Sequence, residues 1–371
     1  MVSTAKHDWP MVRLGDVVEI LNGFAFSSKS FGAEGDMPII RIRDVVPGST
    51  STYYSGEWDK KYLIQPGEIL VGMDGDFNYA RWKSEPALLN QRVCKVSADE
   101  QRIIDSYLFH ALQFPLRDIW EKTAFVTVKH LSAKRLAEAL IPLPPLDEQR
   151  RIAAILDAVA ESIAAVKSQL AELSAIPFSM SNQKPQLIAL SELVDIRSSQ
   201  VDPTSEPYLT MPHVAPNNLY SGSDEIVGVK SAAEDGVTSG KYAFKSGDIL
   251  YSKIRPYLNK VSVAAYDGVC SADMYALVPR DIKQTDWIVW QLRSSRFLAY
   301  AAASSGRASI PKINRKTLGA FKVQVADPMV LERFNREQST KKSLADSMRR
   351  KLNLFQKLQE SLSTRAFQGE L

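Results

Sequence analysis

The chain has 371 residues, enough for two or three domains that each bury a core of their own. With 45% hydrophobic and 24% charged residues it reads as an ordinary soluble globular protein; no run reaches membrane-span length, and the opening MVSTAKHDWP lacks the make-up of a signal peptide. Two cysteines, Cys94 and Cys270, exclude a disulfide framework and fit a reduced, cytoplasmic setting, while a net charge of +4 permits a nucleic-acid partner without arguing for one.

In chain order, the first half predicts short strands at Val17–Ile20, Ile39–Ile42, Glu68–Val71 and Val93–Val96. Asn22-Gly23, Pro47-Gly48, Pro66-Gly67 and Asp74-Gly75 punctuate them as turns. A helix over Asp105–Trp120 and a last strand, Leu140–Leu143, follow. Then Pro144 and Pro145 lead into a long amphipathic helix with Asp147 and Glu148 at its positive end. Its apolar positions Ile152, Leu156, Val159, Ile163, Val166, Leu170 and Leu173 are spaced alternately four and three apart, which is a coiled-coil seam. A polar linker with two prolines ends at Pro185.

The second half repeats this plan. Arg13-Leu-Gly-Asp-Val-Val-Glu-Ile20 matches Ala189-Leu-Ser-Glu-Leu-Val-Asp-Ile196, and Met37-Pro-Ile-Ile-Arg-Ile42 matches Glu206-Pro-Tyr-Leu-Thr-Met211. Lys61-Tyr-Leu-Ile-Gln-Pro-Gly-Glu-Ile-Leu70 matches Lys241-Tyr-Ala-Phe-Lys-Ser-Gly-Asp-Ile-Leu250, and Val128-Lys-His-Leu131 matches Ile310-Pro-Lys-Ile313. The period is roughly 180 residues, a domain duplication, and the two cysteines are expected to sit in corresponding segments. A helix over Thr285–Ala303 and a strand over Phe321–Val325 precede a second long helix, capped by Asp327 with Pro328 at its first position and running to about Ala366. Leu331, Phe334, Ala345, Met348, Leu352, Phe355 and Leu362 share one face of it, interrupted by Gln338, Lys341 and Gln359. The expected fold is α+β: two similar globular domains, 1–144 and 188–326, with a central helix 145–176, a linker 177–187 and a C-terminal helix 327–371. The two helices are expected to pair as an antiparallel coiled coil with pseudo-two-fold symmetry.

Catalytic signatures are missing. Ser239-Gly-Lys241 has no upstream glycine to close a phosphate loop, no dinucleotide fingerprint follows a strand, and His7, His110, His130 and His213 are scattered singly. Asp74-Gly-Asp76 reads as loop chemistry. What remains are cationic and amide residues at strand ends. In the first half these are Arg41, Arg43, Arg81, Lys83, Asn90, Gln91, Arg92, Lys129 and His130; in the second, Lys253, Arg255, Asn259, Lys260, Arg307, Lys312, Asn314 and Arg315. Phe24, Phe26, Phe77, Tyr79, Trp82, Tyr251 and Tyr257 are interleaved with them. Arg, Asn and Gln read base edges bidentately and Lys meets phosphate, so these residues are candidate DNA contacts, and a duplicated protein suits a two-part site.

Ile141-Pro-Leu-Pro-Pro-Leu-Asp-Glu-Gln-Arg-Arg-Ile152, the closing Arg365-Ala-Phe-Gln-Gly-Glu-Leu371, and Gln65-Pro-Gly-Glu-Ile-Leu70 with its copy Lys245-Ser-Gly-Asp-Ile-Leu250 resemble the specificity subunits of type I restriction–modification systems. So do Leu88-Leu-Asn-Gln-Arg-Val93 and Cys270-Ser-Ala-Asp-Met-Tyr275, and the resemblance covers essentially the whole chain. It implies two target-recognition domains, each reading half of a bipartite double-stranded DNA site, held apart by the paired helices. It implies two methyltransferase subunits and two restriction–translocase subunits as partners, and no membrane. The chain itself is then no enzyme and holds no cofactor or metal: methyl donor, ATP and magnesium belong to the partners, and the assembled complex is the adenine methyltransferase and deoxyribonuclease. The second copy of the helix-opening motif has decayed to Gln324-Val-Ala-Asp-Pro-Met-Val-Leu-Glu332, which leaves the symmetry of partner docking open. The alternatives are a similar subunit of a combined methyltransferase–nuclease system and a coiled-coil adaptor that never touches bases.

Overall fold

The computed structural model describes residues 8–123, 129–178, 186–304 and 310–371. They form two compact units: the chain up to Ala171 together with Met348–Leu371, and Glu172–Ser347. No helix among the described residues is long and apolar enough to cross a membrane.

Each unit contains the same three sheets. In the first, Val18–Asn22, Val93–Ala98, Ile69–Gly72 and Tyr79–Arg81 lie in that order in an antiparallel sheet. In the second, Val194–Ile196, Met274–Pro279, Ile249–Ser252 and Val261–Val263 do the same. The strand Ile69–Gly72 is buried on both faces: Ile69 and Val71 enter one core and Leu70 another. Ile249 and Tyr251 are likewise divided from Leu250. This double burial explains the repeated Gly-Glu-Ile-Leu and Gly-Asp-Ile-Leu runs, because a central strand has no polar face to alternate with. The glycine before each acid turns with positive φ, +94° at Gly67 and +92° at Gly247, a region costly for any residue with a Cβ. Each acid closes its turn, Glu68 accepting from the Gln65 amide at 2.6 Å and Asp248 from the Lys245 amide at 2.8 Å.

A second sheet in each unit carries one parallel pair, Ile39↔Leu88 and His213↔Val269. Four of its strands correspond, and the fifth is added at opposite edges, Phe31–Gly32 beside Tyr53–Tyr54 and Gln200–Val201 beside Lys241–Phe244. The third sheet is a strand pair, Met11–Arg13 with Leu140–Pro142 and Leu187–Ala189 with Lys322–Gln324. The cysteines do not correspond. Cys94 lies in the four-stranded sheet opposite Val71, a place taken in the second unit by Tyr275, whereas Cys270 lies in the five-stranded sheet. Both are fully buried, and burial pushes each thiol up to about 12.

The two shorter helices differ from expectation by a break in each. Asp105–Ala111 stops at Leu112 before Gln113–Lys122, since Pro115 has no N–H and its ring clashes with the carbonyl four residues back. Thr285–Leu292 yields to Ser295–Ser304 at Ser294, whose Oγ takes the Phe297 amide and so caps the second piece.

The central helix is Leu146–Ala175, 30 residues or about 45 Å long. The C-terminal helix is Pro328–Phe367, 40 residues or about 60 Å, with the Asp327 carboxylate accepting from Met329 N at 2.9 Å. Ile152, Leu156, Val159, Ile163 and Val166 are buried as the seam requires, while Leu170 and Leu173 are half-buried. In the C-terminal helix Gln338, Lys341 and Gln359 stay in register as half-buried seam positions, and Leu344 and Leu358 beside it are exposed. Within the first unit the helices run antiparallel: Leu362, Ala366 and Phe367 share a core with Ile152, Ala153 and Leu156, and Arg151 donates to the Leu371 carbonyl at 2.9 Å. Within the second, Lys341 donates to the Ile176 carbonyl at 2.7 Å and Phe334 meets Phe178 edge-on at 4.9 Å.

Candidate nucleic-acid interface

In the first unit the doubly buried strand ends at Gly72, and the chain continues into Met73, Asp74 and Gly75. Two other segments are laced to it by backbone hydrogen bonds. Met73 N donates to the Arg92 carbonyl at 2.8 Å, Leu131 N to the Met73 carbonyl at 2.7 Å, and Gly75 N to the Lys129 carbonyl at 3.0 Å. Arg92 pays for its place with a left-handed backbone, φ +69°, a strain of about 1–2 kcal/mol for a residue with a Cβ. The lacing sets Asp74 between Arg92 and His130. Its Oδ2 accepts from Arg92 Nη1 at 2.6 Å and its Oδ1 faces His130 Nδ1 at 2.8 Å. Asp74's side chain is 14% exposed, while those of Arg92 and His130 are 65% and 62% exposed. Burial opposes ionisation of this carboxylate, but the hydrogen bonds from His130 and Arg92 together outweigh it and hold Asp74 below the usual range. An ionised carboxylate only accepts, so His130 Nδ1 carries its proton toward Asp74. The three side chains, with Asn22, Met73 and Gln91, line an open cleft of about 570 Å³.

The other candidates of this unit lie elsewhere. Arg41 is half-buried and turned inward, donating to Thr52 Oγ1 at 2.5 Å beside buried Asp44. Arg43 is exposed, 3.8 Å from Asp44. Arg81 is a clamp, bonded to the Gly67 carbonyl at 2.9 Å and to Asp105 at 2.7 Å, with its guanidinium over the Phe109 ring. Lys83 is exposed, with its stem along Gly48. Asn90 is buried, with no hydrogen-bond partner for Oδ1 among the described residues. Lys129 folds back on Trp120, its Nζ 2.9 Å from the carbonyl and 3.0 Å from the ring centroid. Of the interleaved aromatics Phe26, Phe77, Trp82 and Tyr251 are core residues; Phe24 and Tyr257 are exposed.

The second unit repeats the lacing bond for bond. Lys253 N donates to the Asp273 carbonyl at 3.0 Å, Ile313 N to the Lys253 carbonyl at 3.0 Å, and Arg255 N to the Pro311 carbonyl at 2.8 Å. Asp273 therefore stands where the first unit has Arg92, Lys312 where it has His130, and Ile254 where it has Asp74. Lys312 Nζ lies 3.2 Å from Asp273 Oδ1, so an ion pair survives with its poles moved. Lys253 and Arg255 border this place, Arg255 exposed and left-handed at φ +46°. Asn259 is also left-handed, and its Oδ1 is buried without a partner among the described residues. Lys260 is spent on the Pro216 carbonyl at 2.7 Å. Asn314 caps a helix through the Thr317 amide, and Arg315 lies 5.6 and 5.7 Å from the Tyr242 and Tyr275 rings. Arg307 is outside the described residues.

Asn22 and Asp74 line the cleft although in the sequence both sit in turn-like dipeptides, Asn22-Gly23 and Asp74-Gly75. The usable signal was the repeat itself, which puts Asp74 and Ile254 at the same offset from equivalent strands. Among the described residues, no group of three or more His, Cys, Asp or Glu is placed to hold a metal ion.

Residues 6–175 match the family model described as the type I restriction modification DNA specificity domain. The EcoBI specificity subunit of Escherichia coli is 47% identical over 172 residues, which is 46% of this chain and 36% of that protein's length. The EcoDI specificity subunit of the same species is 23% identical over 412 residues, covering 98% of this chain and 89% of that protein. The fold is similar to that of a type I S subunit from M. genitalium, at 15% identity and a TM-score of 0.56 over 99% of this chain and 98% of the other. With the duplicated sheets and the two seamed helices, these matches make residues 6–175 a type I restriction modification DNA specificity domain and give the whole chain the fold of a type I S subunit.

Proposed function

We propose that this chain is the non-catalytic subunit that gives a type I restriction–modification complex its DNA address. Each unit reads one half of a bipartite double-stranded site, and the paired helices set the spacing between the halves. Two methyltransferase and two restriction–translocase subunits assemble on it in the cytoplasm and bring methyl donor, ATP and magnesium. One observation carries the reading: the same laced loop frame occurs twice with its charged side chains exchanged. A frame kept for stability alone has no need to move its charges, whereas a pair of readers with different targets does. The cations outside the cleft, among them Arg43, Lys83 and Arg255, are suited to phosphate contacts that set register.

Sequencing modified bases in DNA from cells that express the complete system tests this. The expected result is modified adenines in one motif with two defined halves and an undefined spacer of constant length. A motif without that gap, or modification with no sequence preference, overturns the reading and favours the adaptor.

A further inference from the structure

We propose that the first unit's cleft reads one G·C base pair from the major groove, with Arg92 and His130 as the readers and Asp74 as the residue that sets their polarity. This rests on the DNA-recognition reading above and goes beyond it by assigning residues and a base pair.

Asp74 uses both carboxylate oxygens on its partners, Oδ2 on Arg92 Nη1 and Oδ1 on His130 Nδ1. Its side chain is 14% exposed beneath two exposed partners, so it positions them. Arg92 Nη1 is tied down, while its Nη2 and Nε have no hydrogen-bond partner among the described residues and the side chain is 65% exposed. A guanidinium held at one corner presents its remaining donors in a fixed direction, the geometry that two adjacent acceptors require. His130 Nδ1 donates its hydrogen bond to Asp74, which in the ring's neutral form leaves Nε2 as an acceptor at the cleft. The readers thus present donors beside an acceptor. In the major groove a G·C pair offers the complement: guanine N7 and O6 accept, and cytosine N4 donates. An A·T pair places a donor next to N7, where it would face Arg92's own donors.

Phosphate, the other source of acceptor oxygens, suits this cleft less well. Asp74 cancels the guanidinium charge at short range, which weakens its pull on an anion but leaves its directed N–H groups intact. Asn22 and Gln91, both lining the cleft, add amides that suit base edges. The second unit lacks the arrangement, since Ile254 replaces the shared carboxylate and Lys312 offers a point charge.

The test measures binding of the full chain, with its methyltransferase partners, to duplexes carrying its mapped site. Each guanine of the first unit's half-site is replaced in turn by 7-deazaguanine, which lacks the N7 acceptor. One replacement should weaken wild-type binding on the order of 10-fold and cost nothing further in Arg92→Ala. Arg92→Lys, which keeps the charge, should lose the same discrimination while retaining binding to unrelated DNA. Asp74→Asn should relax preference at that base pair alone, with Asp74→Glu restoring part of it, and leave the second half-site unchanged. An undiminished 7-deazaguanine penalty in Arg92→Ala, a loss equal on all sequences, or a half-site without any G·C pair overturns the inference while leaving DNA recognition standing. Absence of any half-site preference in the wild type overturns both.

Discussion

The two units use one backbone frame to hold two different sets of side chains. In the first, a carboxylate on the loop after the central strand sits between Arg92 and His130. In the second, that loop position is Ile254, and the acid has moved to Asp273, where Lys312 pairs with it. The hydrogen bonds that position these residues run between backbone atoms in both units, so they do not depend on the side chains they carry. Separating scaffold from content in this way lets a loop change its chemistry without refolding.

The comparison extends to how each unit grips the C-terminal helix, and there the largest effects are expected. Phe334 is fully buried against Phe178, Trp287 and Trp290, whereas Phe367 is half-buried against Tyr107 and Phe114. Phe334→Ala should cost about 3–5 kcal/mol and Phe367→Ala about 1–2 kcal/mol. Urea unfolding followed by circular dichroism would measure both. Equal costs would show that the two ends of the helix are anchored alike.

A smaller effect separates the two loop chemistries. If Lys312 serves as a point charge near phosphate, Lys312→Ala should weaken binding evenly across sequences and reduce the slope of log affinity against log salt by about one. Loss confined to one base pair would make it a reader, and the contrast with Arg92 would fail.

The smallest effect is on stability in acid. Because the fold holds Asp74 below its ordinary value of 3.8, the native state binds fewer protons there than the unfolded chain. Its contribution is present above that value and is lost as pH falls through the folded-state value. Asp74→Asn should therefore be less stable than wild type at pH 7, and the gap should close below about pH 3.8. Denaturant midpoints at both pH values decide it; a gap that does not change with pH would remove the ionic account. The second unit has no counterpart, as Ile254 carries no ionisable group.

Much of the scaffold was legible in the sequence because its physics is local. A turn that needs positive φ and a strand buried on both faces restrict Gly67-Glu-Ile-Leu70 and Gly247-Asp-Ile-Leu250 to similar residues. The alternating spacing marks the long helices, and it continues through Gln338, Lys341 and Gln359, whose polarity hid it. The candidate site was legible only in outline. Asp74 acquires its role from partners 18 and 56 residues away, so its surroundings read as a turn. Arg41, Arg81, Lys260 and Asn314 sit at strand ends as readers would, yet their hydrogen bonds go to the protein's own groups. Short loops have no periodicity to separate inward from outward. The cysteines share a residue type but not a sheet register, which places them in different sheets.

The most direct measurement exchanges residues 1–140 for those of a similar specificity subunit with a different target and maps modified bases in cells expressing the complete system. The account predicts that one half of the motif changes while the other half and the spacer stay as they were. A change in both halves, or in the spacer alone, would contradict it.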